Sequence, residues 1–178
     1  LRCQAKLAEL RPDFRARIGE DLFMRIGLHT GTVVVGNMGS RTRFNYTILG
    51  DAANLASRLE GLNKEFGTSI IISDATGQHM GKAFGIREIS CVQVVGRKEP
   101  VRIFEPMLRE EFEARQADLS AFANGLEAYY RGEFQNALAI FKQIENRDPV
   151  AAAYVRRCQL LLKEPPLQWS GVWVMREK

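Results

Sequence analysis

Residues 46–58 read Tyr-Thr-Ile-Leu-Gly-Asp-Ala-Ala-Asn-Leu-Ala-Ser-Arg, and the rest of the chain is best read outward from them. Tyr46 to Leu49 is strand-like, Gly50 breaks the extended run, and Asp51 suits an N-cap or the first turn of a helix. Beyond it Ala52, Leu55, Ala56, Leu59, Leu62 and Phe66 recur at three- and four-residue spacing, which predicts a helix with one buried face. Gly67 closes it. Asn54 and Arg58 are four apart, one turn from each other, and flank the apolar stripe. An amide and a guanidinium near a helix N-terminus suit a phosphate ester. The alternative for these two residues is a solvated surface pair.

Composition sets bounds. The 178 residues hold enough for one sizeable domain or one and a half, with 46% hydrophobic and 26% charged residues, as in ordinary globular proteins. Apolar runs such as Val33–Val35 with its neighbours and Ile70–Ile72 are strand-sized, none approaches a membrane span, and nothing resembles a signal peptide. Cys3, Cys91 and Cys158 are far apart and form no CxxC pair, so neither a disulfide frame nor a zinc site is indicated, and a cytoplasmic setting fits. Residues 1–106 carry 15 Lys/Arg against 11 Asp/Glu, and residues 107–178 carry 10 of each. That excess is too small for a nucleic-acid partner and is compatible with a triphosphate.

Taken in order, Leu1 to Leu10 reads as a helix stopped by Pro12. Its first residue is not Met, so the chain reads as a piece of a longer protein. The run to Asp21 is polar. Leu22–Leu28 and Thr32–Gly36 are predicted to form a β-hairpin with His29 at its tip, a structural histidine. Asn37–Arg43 is a loop in which Arg41 and Arg43 could reach a phosphate. Phe44–Leu49, Ser69–Ile72, Phe84–Ile89, Cys91–Val95 and Val101–Pro106 are further strands. Ser73 or Asp74 caps a short helix, and Gly96–Pro100 is a turn. The order is that of an α+β domain with a largely antiparallel sheet.

Residues 108–163 then lose all strand signal. There Gly125, Gly132, Ala137, Phe141 and Pro149 fall at offsets that resemble a tetratricopeptide helix–turn–helix repeat. One repeat and one extra helix cannot stand alone, so these helices must pack on the first domain, on a partner or on each other. In the tail, 164–178, Trp169 and Trp173 are expected to be docked.

Three words, Met24–Met38 (Met-Arg-Ile-Gly-Leu-His-Thr-Gly-Thr-Val-Val-Val-Gly-Asn-Met), Tyr46–Arg58 and Leu59–Asn63 (Leu-Glu-Gly-Leu-Asn), together resemble the class III nucleotidyl cyclases over residues 1–107. The resemblance implies a cyclase-type, ferredoxin-like α+β fold and a head-to-tail homodimer. It also implies conversion of a nucleoside triphosphate into its 3′,5′-cyclic monophosphate and pyrophosphate. Asn54 then matches the residue that orients the ribose, and Arg58 the one that stabilises charge on the α-phosphate. Thr47 stands where the family selects the base, and points to ATP over GTP. Arg97 stands where many members carry a phosphate-binding Lys, with Lys98 as a substitute. The magnesium or manganese of the reaction would be held by an Asp pair that lies upstream in the family and is not in this chain, so the chain holds half of each shared site. An upstream sensor or membrane domain is compatible with this arrangement. A degenerate, non-catalytic dimerisation module and a guanylate cyclase are the alternatives. Truncation would also leave apolar strand surface uncovered, near Val33–Val35 or Ile70–Ile72.

Overall fold

A computed structural model describes residues 1–40, 42–97 and 99–175. It begins with helix α1 (Arg2–Ile18), short strand β1 (Ile26–Leu28), strands β2 (Val34–Gly39) and β3 (Phe44–Leu49), and helix α2 (Asp51–Phe66). Strand β4 (Ile70–Ser73), helix α3 (Asp74–Gly77) and the long strands β5 (Phe84–Gln93) and β6 (Val101–Leu108) follow. Four helices, α4 (Arg109–Ala114), α5 (Gln116–Tyr130), α6 (Phe134–Lys142) and α7 (Pro149–Lys163), lead to a two-residue strand, β7 (Trp173–Val174). Among the described residues no helix is long and apolar enough to cross a membrane.

The main sheet runs β1-β4-β6-β5-β7. Its long pairing, β5 with β6, is antiparallel, as is β4 with β6, while the short edge strands β1 and β7 join in parallel. The fold is α+β, as the residue pattern predicts. The β1–β2 hairpin does not form. β1 pairs with β4, and β2 pairs with β3 in a separate ribbon with Val34 opposite Leu49 and Gly36 opposite Thr47. Alternation identifies a strand but not its partner: β2 takes the strand that follows it, and β1 pairs with the more distant β4. The ribbon also absorbs Asn37–Gly39, which the sequence assigns to a loop.

Two further boundaries differ. Pro12 lies inside α1, which continues to a left-handed Gly19. Only one helical hydrogen bond is lost to a proline, and a half-buried stripe of Leu7, Leu10 and Phe14 runs past it. Phe84–Gln93 is one strand, with a bulge between Glu88 and Ser90 instead of a break. The bulge has a use. Ile89 drops out of the register, and its carbonyl accepts from the hydroxyl of Tyr154 on α7 at 2.9 Å, a hydroxyl that also lies 2.9 Å from Ser90 Oγ.

Helices and sheet share one core. Leu55, Leu59, Leu62 and Phe66 of α2 and Ile89 and Val92 of β5 belong to the same buried cluster as Phe122, Tyr129, Phe141 and Tyr154. Tyr154 is its hub, 4.8 Å from Phe141 and from Tyr129 and 5.2 Å from Trp173 between ring centroids. Gly67, the left-handed cap of α2, abuts α7 so closely that a Cβ there would stand 2.7 Å from Pro149. A buried ion cluster adds a polar tie. Arg87 of β5 reaches Glu105 at 2.7 Å and Asp148 at 3.0 Å, and Asp148 also caps α7 through the Val150 amide. The helical segment therefore packs on the sheet domain, and both tryptophans are docked: Trp173 is buried and Trp169 donates to the carbonyls of Tyr129 and Tyr130.

Candidate active site

Helix α2 starts from Gly50, whose positive φ makes the turn out of β3. Its buried face, Ala52, Leu55, Leu59, Leu62, Asn63 and Phe66, fixes the rotation of the helix. Asn54 and Arg58 consequently emerge together beside the core and line one groove of about 480 Å³. Ser57, Gly61 and Lys64 continue that wall, and Val94, Val95 and Met175 form the opposite, apolar one. At its end Arg25 pairs with Glu60 at 2.7 Å.

Arg58 is half-buried, and among the described residues no carboxylate lies within ion-pair distance of it. Its guanidinium instead lies against the turn after β5: a Cβ on Gly96, which has φ +76°, would sit 3.2 Å from Nη2. Only glycine both makes that turn and admits the guanidinium. Arg97 comes next in the same turn and reaches Asp51, in the first turn of α2, at 3.6 Å. Two guanidinium groups are thus associated with one glycine turn, Arg58 resting against Gly96 and Arg97 following it towards Asp51, which favours an anion.

Thr47 stands apart from this groove. It is half-buried in β3, four residues before Asp51, opposite Gly36. The structure thus brings together Asn54, Arg58 and the Arg97 turn, and holds Thr47 on the adjoining ribbon. Lys98 and Arg41, both offered by the sequence as phosphate contacts, lie outside the described residues.

His29 is held by geometry. Its Nδ1 lies 2.7 Å from Ser73 Oγ, tying the end of β1 to the cap of α3. Burial, and then the Arg97 charge, push its pKa below the ordinary value of 6.5, while Asp51 pulls the other way. Three features of the site carried no usable sequence signal: the Asp51–Arg97 pair, the Gly96 seat, and Met175, which arrives from the far end of the chain. The four candidate groups are an amide, a hydroxyl and two guanidiniums, a donor set that does not fit a divalent cation. Among the described residues no three His, Cys, Asp or Glu side chains gather to hold one.

Comparison with known proteins identifies the domain. The family described as "Adenylate and Guanylate cyclase catalytic domain" matches residues 2–104. The terminal-differentiation specific adenylate cyclase of Dictyostelium discoideum is 34% identical over 152 residues, covering 80% of this chain and 7% of that protein. Adenylate cyclase 1 of Rhizobium meliloti is 39% identical over 101 residues, covering 57% of this chain and 14% of that protein. The chain therefore spans a small part of the curated relatives it matches. Among solved structures, adenylyl cyclase CyaB from P. aeruginosa superposes with a TM-score of 0.51 at 32% identity, over 58% of this chain and 53% of that one. With a shared domain over more than half its length and the Asn54–Arg58 helix at the centre of that domain, the chain belongs to the adenylate and guanylate cyclase catalytic domain family.

Proposed function

We propose that the whole protein is a class III adenylate cyclase that converts ATP to 3′,5′-cyclic AMP and pyrophosphate, and that this chain supplies the Asn54–Arg58 half of a site shared between two copies. The observation that carries this reading is the groove in which Asn54 and Arg58 stand one turn apart, with Arg58 seated on Gly96 beside Arg97. In the reaction the ribose 3′-oxygen attacks the α-phosphorus and pyrophosphate leaves. Asn54 would orient the ribose by its amide, and Arg58 would hold charge that develops on the α-phosphate oxygens. Arg97 would hold the terminal phosphates as a planar fork. Thr47 would meet the adenine amino group from the ribbon, directly or through water. Magnesium or manganese would be held by carboxylates other than these residues.

Dimerisation through the ribbon is supported by its exposure. Val34 and Phe44 are each 63% exposed and Tyr46 is 74% exposed, apolar side chains gathered on one ribbon as at an interaction surface. We also read α5 and α6 as one tetratricopeptide-like repeat, with α7 as the extra helix. Supporting this, a Cβ on Gly125 of α5 would lie 2.7 Å from Phe141 of α6, and Pro149 opens α7. A cytoplasmic location fits a protein that uses ATP.

The test is kinetic. In the whole protein Asn54→Ala or Arg58→Ala should lower kcat by about 10²-fold with KM little changed, because both act on the transition state. Mixing either variant with one lacking the metal-binding carboxylates should restore one working site per heterodimer. A raised KM at constant kcat would reassign the two residues to ground-state binding, and no restoration would refute the shared site.

A further inference from the structure

The following rests on the Arg58 site just proposed. The family domain covers residues 2–104, yet the chain's last described segment returns to that site. After α7 the chain reaches Trp169, whose indole N–H donates to the Tyr129 and Tyr130 carbonyls at 2.9 and 3.1 Å. Trp173 then inserts edge-on against Phe66, with ring centroids 5.0 Å apart. β7 pairs with the end of β5, Val92 opposite Trp173 and Gln93 opposite Val174, and the Met175 amide donates to the Gln93 carbonyl at 3.0 Å. β5 leaves that pairing through Val94, Val95 and Gly96 to Arg97, and the Met175 side chain lines the groove beside Arg58.

We propose that residues 169–175 form a strap that positions Arg58. Met175, Val94 and Val95 make an apolar wall and Gly96 a backbone seat, and between them the guanidinium is held without a carboxylate. A long cationic side chain with no acidic partner is ordered by packing of its stem and by the surfaces its head rests on. A methionine is well suited to such a wall, since it is flexible, polarisable and able to fill an irregular gap. Holding Arg58 by packing leaves its N–H donors free for phosphate oxygens, which an ion pair would have occupied. The same strap braces the exit of β5, so one element fixes both Arg58 and the turn carrying Arg97. In this arrangement Met175 is a positioning residue: it acts through Arg58 and contacts no reacting atom.

Two measurements on the 178-residue chain test this. Calorimetry with ATP reads the site, and the Arg58 Nε–Hε NMR resonance, assigned by its loss in Arg58→Lys, reads the placement of the guanidinium. Met175→Ala should weaken ATP binding by about fivefold, and Met175→Leu should restore it to within about twofold. In the Ala variant the Nε–Hε resonance should move toward the position of a free arginine while the backbone amide spectrum elsewhere is retained. Should Met175→Ala unfold, Val95→Ala trims the same wall from the β5 side and is read in the same way. An Arg58 resonance and an ATP affinity unchanged by these substitutions would overturn the strap. Failure of the site reading looks different: ATP then fails to bind, or binds equally well to Asn54→Ala and Arg58→Ala, and the resonance alone decides whether the strap positions Arg58.

Discussion

Arg58 and Arg87 show how partners decide what a side chain does. Arg87 is buried among Glu105, Asp148 and the ring of Phe122, so its donors are spent on the fold. Arg58 rests on Gly96 and keeps its donors available. The Asn54–Arg58 pair was legible because helix periodicity alone puts positions four apart on one side of α2. The Asp51–Arg97 pair was not, since nothing local relates residues separated by half the domain. Thr47 gives a prediction at this scale. Thr47→Val keeps the side-chain shape and removes the hydroxyl, so the ratio of ATP to GTP turnover in the whole protein should fall; an unchanged ratio would place base selection elsewhere. His29 gives a second. Its folded pKa lies below its ordinary value of 6.5, so the folded state binds fewer protons than the unfolded one. Its contribution to stability is then full above about 6.5 and declines as pH falls below it. Chemical denaturation of the wild type between pH 8 and 5 should show this loss, and His29→Gln should flatten it.

Among the elements, α2 is the one whose boundaries and faces the sequence predicts well, because its stripe, its Gly67 cap and its entry at Gly50 are all local signals. The ribbon was missed for the opposite reason. Val33–Val35 and Ile70–Ile72 are alike in composition, and the sequence leaves open which of them is uncovered; Val33–Val35 are exposed, while Ile70–Ile72 of β4 are buried. Apolarity marks a surface that must be covered and does not say by what. Gly61 offers a simple check on α2. It lies mid-helix, and an added Cβ would meet nothing within 4 Å. Gly61→Ala should therefore raise stability by about 0.5–1 kcal/mol, read from denaturant midpoints at constant m-value. A loss of stability would mean the helix is strained there. For the ribbon, Tyr46→Lys with Ile48→Lys should reduce self-association in sedimentation velocity and leave the circular dichroism spectrum intact, if the exposed face is where copies meet.

On the scale of the molecule, the helices and the sheet are joined by a shared core and by the Arg87–Glu105–Asp148 cluster. The composition shift at residue 108 marks a change of secondary structure, and the core runs across it. Sequence patterns report which segments are helical but not that Tyr154 will reach a bulge 64 residues away. Asp148→Ala should cost about 3–5 kcal/mol, because it leaves Arg87 short of a partner in a buried place and uncaps α7. A loss below about 1 kcal/mol would mean that Glu105 alone satisfies Arg87.

The chain has two tryptophans and four tyrosines, and their placement divides its light emission into two separate reports. Both tryptophans are in the strap, and Tyr129, Tyr130 and Tyr154 crowd around them, with Tyr129 5.0 Å from Trp169 and Tyr154 5.2 Å from Trp173. At such separations those tyrosines pass their excitation to indole and contribute little of their own. The fourth, Tyr46, is on the exposed ribbon, so tyrosine emission from the native chain should come chiefly from the ribbon and tryptophan emission wholly from the strap. Selective excitation of tryptophan, set beside tyrosine emission, would then watch the exposed ribbon and the segment that ends at the Arg58 groove separately, in one cuvette and without a label.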